Sequence, residues 1–409
     1  MGAPAARVSE LSRHWAATGH DVTVLTGFPN HPDGVLHPEY RKHFRKLMFR
    51  ERVDYIDVVR SWLWPFPNRK AHERMLNYSS FCVSAGIAGS FLPRPDVVIA
   101  TSPQLLVALS GWWVAKIKRA PFVFEVRDLW PESLAAVGAA STGSAPYRVL
   151  HKLAGFLYRE ATRIVVVTPA FKEHLIQHWR VPATKISIVQ NGVETRMFFP
   201  GAQSVEVRKQ RTLENKFVVS YIGTMGMAHG LGTVLEAAER TQAACPEVVF
   251  MLVGEGADRE RIEQIAAEKN LTNIHFVPQQ PREKIPSYIA ASDVCLVLLK
   301  KSEVFNTVIP TKMLEFMACG KPVVLGVKGQ AKRILEGCRA GLCIEPESAS
   351  SLCEAIEVLC ANSYLRDSLG VNGREYIVQN LSRERTAAEY LEVLLGIVED
   401  VSTAARAAA

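Results

Sequence analysis

No apolar run in this sequence reaches the ~20 residues that span a bilayer. The opening residues show no signal-peptide pattern either, because Arg7, Glu10, Arg13 and His14 interrupt their first apolar period. The eight cysteines form no Cys-x-x-Cys pair and no His-interleaved cluster. Several lie in apolar runs, as Cys295 does in "DVCLVLL", which predicts buried free thiols, a reducing cytoplasm and no structural zinc. There is no DxD and no His/Asp/Glu group at metal-ligand spacing, so neither a metal nor a cofactor is expected. A Gly-x-Ser-x-Gly elbow is absent, as is a Cys–His arrangement, which argues against hydrolysis through a covalent enzyme. The dinucleotide GxGxxG fingerprint is missing, and no Gly-Lys-Ser/Thr marks a P-loop.

What is present is a 409-residue chain, 48% apolar and 22% charged, enough for two ordinary globular domains. Its net charge of +7 is unevenly placed: residues 1–183 carry 23 Lys/Arg against 14 Asp/Glu. Much of that excess sits in "RKHFRKLMFRER" (41–52), including Arg45 and Lys46. Such a run can be an ordinary solvated surface. Nearby, however, are the aromatic-bearing apolar stretches "MLNYSSFCVSAGIAGSFL" (75–92) and "LLVALSGWWVAKIKR" (105–119). Basic next to aromatic is how a peripheral protein meets an anionic membrane surface. Nucleic acid is not expected, because no continuous basic stripe or binding module appears.

Short β-branched runs alternate with helical patterns: "DVTVLTG", "DVVIATSP", "PFVFEVRD" and "RIVVVTP" in the first half. The pattern restarts after about residue 200 with "FVVSYIGT", "VVFMLVGEG", "IHFVPQ", "DVCLVLL", "KPVVLGV" and "AGLCIEP". Continuous apolar strands separated by helices predict parallel sheets covered on both faces. The expected class is therefore α/β, with two facing doubly wound Rossmann-like domains and a ligand at the C-terminal strand ends. The expected limits are 1–197 for an N-terminal Rossmann-like domain on the membrane side, 198–216 for a linker and 217–380 for a C-terminal Rossmann-like domain that holds the main ligand. A C-terminal helix, 381–398, is expected to pack back toward the first domain. The chain opens at "MGAPAARVSEL", a turn rather than a strand. A missing central strand would leave unpaired backbone on two neighbours, so a truncated or misassigned start is expected.

Two segments carry the chemistry. "SYIGTMGMAHGLGTVLEAA" (220–238) reads as strand, Gly-punctuated turn and helix. Gly223, Gly226 and Gly230 permit close approach of backbone amides to an anion, though tight turns also need glycine. In "FNTVIPTKMLEFMACGKPVV" (305–324), Pro310 suits a first helical turn and leaves the amides of Thr311 and Lys312 for a phosphate. Lys312 adds positive charge, and Glu315, one turn deeper, can accept two hydrogen bonds from a diol such as ribose. The alternative is an ordinary i,i+3 salt bridge.

At these residues the chain resembles the retaining family 4 glycosyltransferases, which have the GT-B fold. "PTKMLEFMACGKPVV" looks like their donor-site signature, and "GAPAARVSELSRHWAATGHDVTVLTGFPNHPDG" (2–34) resembles their first helix, second strand and loop. "FVFEVRDLWPES" (122–133) is similar to the branch that makes O-antigen and exopolysaccharide, the colanic-acid type. "VQNGVETRMFFP" (189–200) resembles the segment that enters that family's interdomain linker. The resemblance implies a donor site built from Gly2, Gly223, Thr224, Gly226, Ile309, Pro310, Thr311, Lys312 and Glu315, with the base near Val277 and Pro278. Two family positions differ. The acid eight residues before Glu315 is Thr307, and the Arg and Lys usual after the glycine turn are Thr224 and His229.

Lys312 thereby becomes the chief partner of the diphosphate. Asp128 and Glu132 are the acids expected to orient the acceptor or steady positive charge, with an Arg127 partner or a helix cap as the alternative for Asp128. His31 and Arg127 are weaker acceptor candidates. The expectation is a metal-independent hexosyl- or N-acetylhexosaminyl-transferase moving sugar from a UDP-sugar to a lipid-linked saccharide at the inner leaflet. A nucleotide-sugar epimerase or phosphorylase, a silent nucleotide-binding subunit and a nicotinamide dehydrogenase are the competing readings.

Overall fold

The computed structural model describes residues 3–30, 34–66, 71–136, 141–201 and 204–407. The chain divides into two compact units. One, the N-terminal unit, comprises Arg7–Gln190 and Ala387–Ala409; the other, the C-terminal unit, comprises Asn191–Thr386 with the residues up to Ala6.

The N-terminal unit opens with α1 (Ala3–Ala17) and β1 (Thr23–Gly27), followed by the hairpin β2 (Met48–Val53) and β3 (Ile56–Ser61). Next come α2 (Ala71–Ser90), β4 (Val98–Thr101), α3 (Leu105–Lys118), β5 (Phe122–Val126) and α4 (Glu132–Ala136). It continues with α5 (Ala145–Glu160), β6 (Arg163–Val166), α6 (Pro169–Trp179) and β7 (Ile186–Ile188). Its strands form two sheets among the described residues, β1-β3-β2 and the all-parallel β4-β5-β6-β7. The hairpin was not visible in the sequence. Its turn residues Asp54 and Tyr55 both have positive φ (48° and 68°), the requirement of a tight hairpin turn. Its alternation is hidden because Arg50 and Arg52 fill exposed positions of β2 while the charged Glu51 takes a mostly enclosed one, paired with Arg60 across the strands.

A buried ion pair ties this unit together. Arg7 Nε lies 2.9 Å from Glu125 Oε1 with both side chains almost fully enclosed. The guanidinium also donates to the carbonyls of Gln190 (3.0 Å) and Val189 (3.3 Å), so helix α1, strand β5 and the chain after β7 share one charge. Burial alone would raise the Glu125 carboxyl, but Arg7 and Arg127 overcome it and hold the group below its ordinary range. Alongside, Trp15 Nε1 donates to the Ala387 carbonyl (2.9 Å) and its ring meets Tyr390 edge-on at 5.3 Å. The C-terminal helix is thus fastened to α1 through Leu11, Trp15, Tyr390, Leu394 and Ile397.

The C-terminal unit begins with α7 (Val205–Gln210) and β8 (Phe217–Ile222), then α8 (Gly232–Ala244), β9 (Val248–Val253) and α9 (Arg259–Glu268). β10 (Ile274–Val277), α10 (Ile285–Ala290), β11 (Val294–Leu298), α11 (Thr311–Ala318) and β12 (Val323–Gly326) follow. α12 (Gln330–Gly337), β13 (Gly341–Cys343), α13 (Ala349–Ala361), α14 (Ser363–Asn380) and α15 (Arg383–Ala407) complete the chain. The six strands are parallel in the order β10-β9-β8-β11-β12-β13. Along β8 the side chains alternate: Val218 and Ile222 join the core under α10, α11 and α14, while Val219 and Tyr221 join the core under α8 and α13. Strand order reverses between β8 and β11, so loops after these two strands diverge and leave a crevice.

Of the stretch expected as a linker, 198–216, the described residues group with this unit. Val207 and Leu213 are buried, and Arg208 reaches Asp293 Oδ2 (2.7 Å) and the Ala291 carbonyl (3.0 Å). Polar residues that looked like linker composition are spent on these anchors. Replacing Arg7 by Met should leave Glu125 buried without its partner and cost about 3–5 kcal/mol of stability. Urea unfolding checks this, and a cost below about 1 kcal/mol would show that the pair is dispensable.

Candidate nucleotide-sugar site

The crevice between β8 and β11 holds Lys312. Helix α11 begins where expected, with Pro310 as its N-cap (φ −63°, ψ 123°) rather than its first turn. The amides of Thr311 and Lys312 precede the first bond at this helix start, from Met313 N–H to the Pro310 carbonyl (3.0 Å). The Lys312 ammonium lies 4.0 Å from the centre of the Tyr221 ring and donates to the Tyr221 hydroxyl at 2.8 Å. That hydroxyl donates in turn to the Thr224 carbonyl at 2.6 Å, so the lysine is coupled to the glycine turn after β8. Gly223 has φ +148°, and a Cβ there would sit 3.1 Å from Lys312 Nζ. The backbone at 223 therefore favours glycine, and a side chain there would press on the Lys312 ammonium. Burial pulls the Lys312 ammonium down to about 7, with Glu315 partly opposing it.

Glu315 lies one turn deeper, as expected, but it is not waiting alone. Arg282 Nη1 donates to Glu315 Oε1 at 3.0 Å, and both side chains are mostly enclosed. The Arg282 guanidinium also rests 5.1 Å from the centre of the Phe198 ring. Neither Arg282 nor Tyr221 stood out in the sequence, because an arginine after proline in "QQPREK" and a tyrosine inside a strand have no spacing to mark them. His229 packs against Tyr221 at 5.8 Å and its Nδ1 lies 3.4 Å from the Leu298 carbonyl. Burial, with Lys312 beside it, lowers this imidazole to about 3, so it is neutral at any physiological pH.

The remaining donor candidates are less well placed. Thr224 is exposed and Gly226 lies in the same turn. Ile309 is buried in the core and lines no open space with its side chain. Val277 is fully buried, and its carbonyl already accepts from Gly254 N–H (3.0 Å) and Arg259 (3.3 Å). The Pro278 carbonyl accepts from the Gln280 side chain (3.0 Å). Thr307 donates to the Val304 carbonyl at 2.6 Å, closing its own turn. Gly2 and His31 lie outside the described residues.

In the N-terminal unit the three residues after β5 have different surroundings. The Ser102 hydroxyl, at 2.8 Å from the Arg127 amide and 3.3 Å from that of Asp128, fixes the turn. Asp128 is pushed up by burial, with the neighbouring Ser133 side chain and Leu129 amide opposing that shift. Arg127, expected to meet an acceptor, is largely enclosed: burial lowers its guanidinium, and the charge of Glu125 opposes that shift. Glu132 accepts from Trp179 Nε1 at 3.1 Å and lies 3.5 Å from His174 Nε2, which anchors it to α6.

Comparison with known proteins places this architecture. The Glycosyl transferase 4-like domain family matches residues 2–192, and Glycosyl transferases group 1 matches residues 203–376. Sucrose-phosphate synthase of Thermosynechococcus elongatus superposes with a TM-score of 0.76 over 98% of this chain and 94% of its own, at 21% identity. An Anabaena protein, HepE, solved with UDP-glucose, gives 0.69 over 92% of this chain and 100% of its own, at 16% identity. In sequence, the colanic acid biosynthesis glycosyl transferase WcaI of Escherichia coli strain K12 is 24% identical over 406 residues, covering 95% of each chain. The fold is GT-B, two Rossmann-like domains with parallel sheets. The chain belongs to the glycosyltransferases of group 1, with a family 4-like N-terminal domain, and is an enzyme of that class.

Replacing Gly223 by Ala should strain the turn and crowd Lys312, at a cost of about 1–3 kcal/mol. Unchanged urea stability would mean that the lysine steps aside freely.

Proposed function

We propose that the protein transfers a sugar, with retention and without a metal, from a nucleotide diphosphate-sugar to a lipid-linked saccharide in cell-surface polysaccharide synthesis. UDP is the favoured nucleotide. One observation carries the reading: Lys312 beside Gly223 at the crevice, with Glu315 one turn deeper and braced by Arg282. Phosphate oxygens fit the ammonium and the amides of Thr311 and Lys312, and the Glu315 carboxylate is an acceptor of the kind a ribose diol needs. HepE, solved with UDP-glucose, supports uridine, and WcaI, named for colanic acid biosynthesis, supports a surface polysaccharide. The lipid-linked acceptor and an anionic inner-leaflet partner, with a cytoplasmic location, follow from the basic, aromatic N-terminal half. No helix among the described residues is long and apolar enough to cross a membrane.

The chemistry follows from where charge develops. As the glycosidic C–O bond lengthens, negative charge gathers on the departing diphosphate and positive charge on the sugar ring. Lys312 and the helix amides stabilise the first; the half-buried Asp128 is the acid available to the second or to the acceptor hydroxyl. Glu132, held by Trp179 and His174, acts through the shape of the turn rather than on the reacting atoms.

Calorimetric titration with UDP, GDP and NAD tests the donor class. UDP should bind, and Lys312→Ala and Glu315→Ala should each abolish binding while far-UV circular dichroism stays unchanged. Silence with both UDP and GDP would sink the reading, and binding of NAD alone would favour a dehydrogenase.

The same titration has a pH signature. Free Lys312 titrates near 7, and a bound diphosphate favours its charged form, so binding draws in a proton above that pH. UDP affinity should fall by about tenfold per pH unit between 7 and 9. Binding enthalpies should also depend on the buffer's ionisation enthalpy. A flat profile would mean that Lys312 is already charged in the free protein.

A further inference from the structure

We propose that helices α2 and α3 of the N-terminal unit form the face by which the protein docks on an anionic bilayer. This rests on the membrane partner proposed above and assigns it a surface.

On α2, Leu76, Val83 and Ile87 stand 46%, 63% and 49% exposed. Their spacing of seven and four residues puts them on one stripe of the helix. Phe91, just past the helix end, is 77% exposed. On α3, Trp113 (49%) and Ile117 (47%) are one turn apart. The two stripes are continuous. A Cβ on Gly86, which lies between Val83 and Ile87 in the chain, would come 3.4 Å from Trp113 Cδ1, so the indole rests against α2. The opposite faces are already used: Ala85, Ala88, Leu105, Ala108, Val114 and Ala115 are buried in the core. Among the described residues, these side chains therefore form a second apolar face that is left exposed.

Charge decides the occupant. From Arg74 to Pro95 and from Gln104 to Ala120 there is no Asp or Glu, while Arg74, Arg94, Lys116, Lys118 and Arg119 are present. Arg94 and Arg119 are linked at the rim, Arg94 Nη2 donating to the Arg119 carbonyl at 3.2 Å. Carboxylates stand only at the margins, Glu73 and Asp96 beyond the ends of these segments and Glu160 against Trp112. An apolar stripe containing Trp and Phe with cations in excess along it matches the interface of an acidic leaflet. The run 41–52, which seemed the more obvious membrane contact, is weaker in this respect. It folds as turn and hairpin strand, Glu51 pairs with Arg60, and Asp54 and Asp57 follow within a few residues.

Sedimentation of the full-length chain with phosphatidylcholine vesicles, with and without phosphatidylglycerol, provides the test. The wild type should pellet with the phosphatidylglycerol vesicles. Ile87→Ser with Trp113→Ser should lower partitioning at least tenfold, and Lys116→Gln with Arg119→Gln on the order of tenfold. Both double variants should keep wild-type UDP affinity and melting temperature, showing that they are folded. A third, Arg45→Ala with Lys46→Ala, should partition like the wild type. If the helix variants bind vesicles normally while the Arg45/Lys46 variant does not, this surface is wrong and the membrane partner survives. If the wild type pellets with neither vesicle, the membrane partner itself fails. A lipid-free dimer that Ile87→Ser disperses, with vesicle binding unaffected, would reassign the face to self-association.

Discussion

A lysine ammonium inside a protein must be compensated, and the C-terminal unit is arranged around how Lys312 is compensated. The Tyr221 ring lies under it, the Tyr221 hydroxyl accepts from it, and Gly223 leaves it room. None of these groups carries a full negative charge, and Glu315 only partly offsets the burial, so the ammonium gives up its proton easily. A site built this way is under-neutralised by design of its neighbours. An incoming dianion completes it, which a lysine already paired with a carboxylate could not offer.

Glu315 complements this. Its charge is directed away from the lysine and toward Arg282, which itself leans on Phe198. Thr307 occupies the position where related enzymes often place a second acid, and it is bound into its own turn. The crevice thus presents one carboxylate braced by an arginine and one ammonium held only by a tyrosine.

Lys312 and Glu315 were legible because a helix repeats every three to four residues, so spacing alone puts them on one face. The parallel sheets were legible because strands buried on both sides are apolar throughout. Arg282 was not, since it reaches Glu315 from a loop thirty-three residues away and its partner is set by tertiary packing. The hairpin of β2 and β3 was hidden by its own charged outer face, and α7 by the polar anchors that hold it. The acids after β5 were found by position, yet their surroundings are set by neighbours no pattern encodes: burial for Asp128, and Trp179 with His174 for Glu132.

Gly223 and Gly254 are in close contact: a Cβ on Gly254 would fall 2.0 Å from the Gly223 carbonyl oxygen, while Gly223 N–H bonds to Val253 (2.9 Å). The dependence runs one way: a side chain at Gly254 strikes the backbone of Gly223, whereas one at Gly223 meets only the Lys312 side chain. The turn after β9 thus acts as a stop against which the turn after β8 is seated, and the position of Lys312 is set partly by a strand that never touches it.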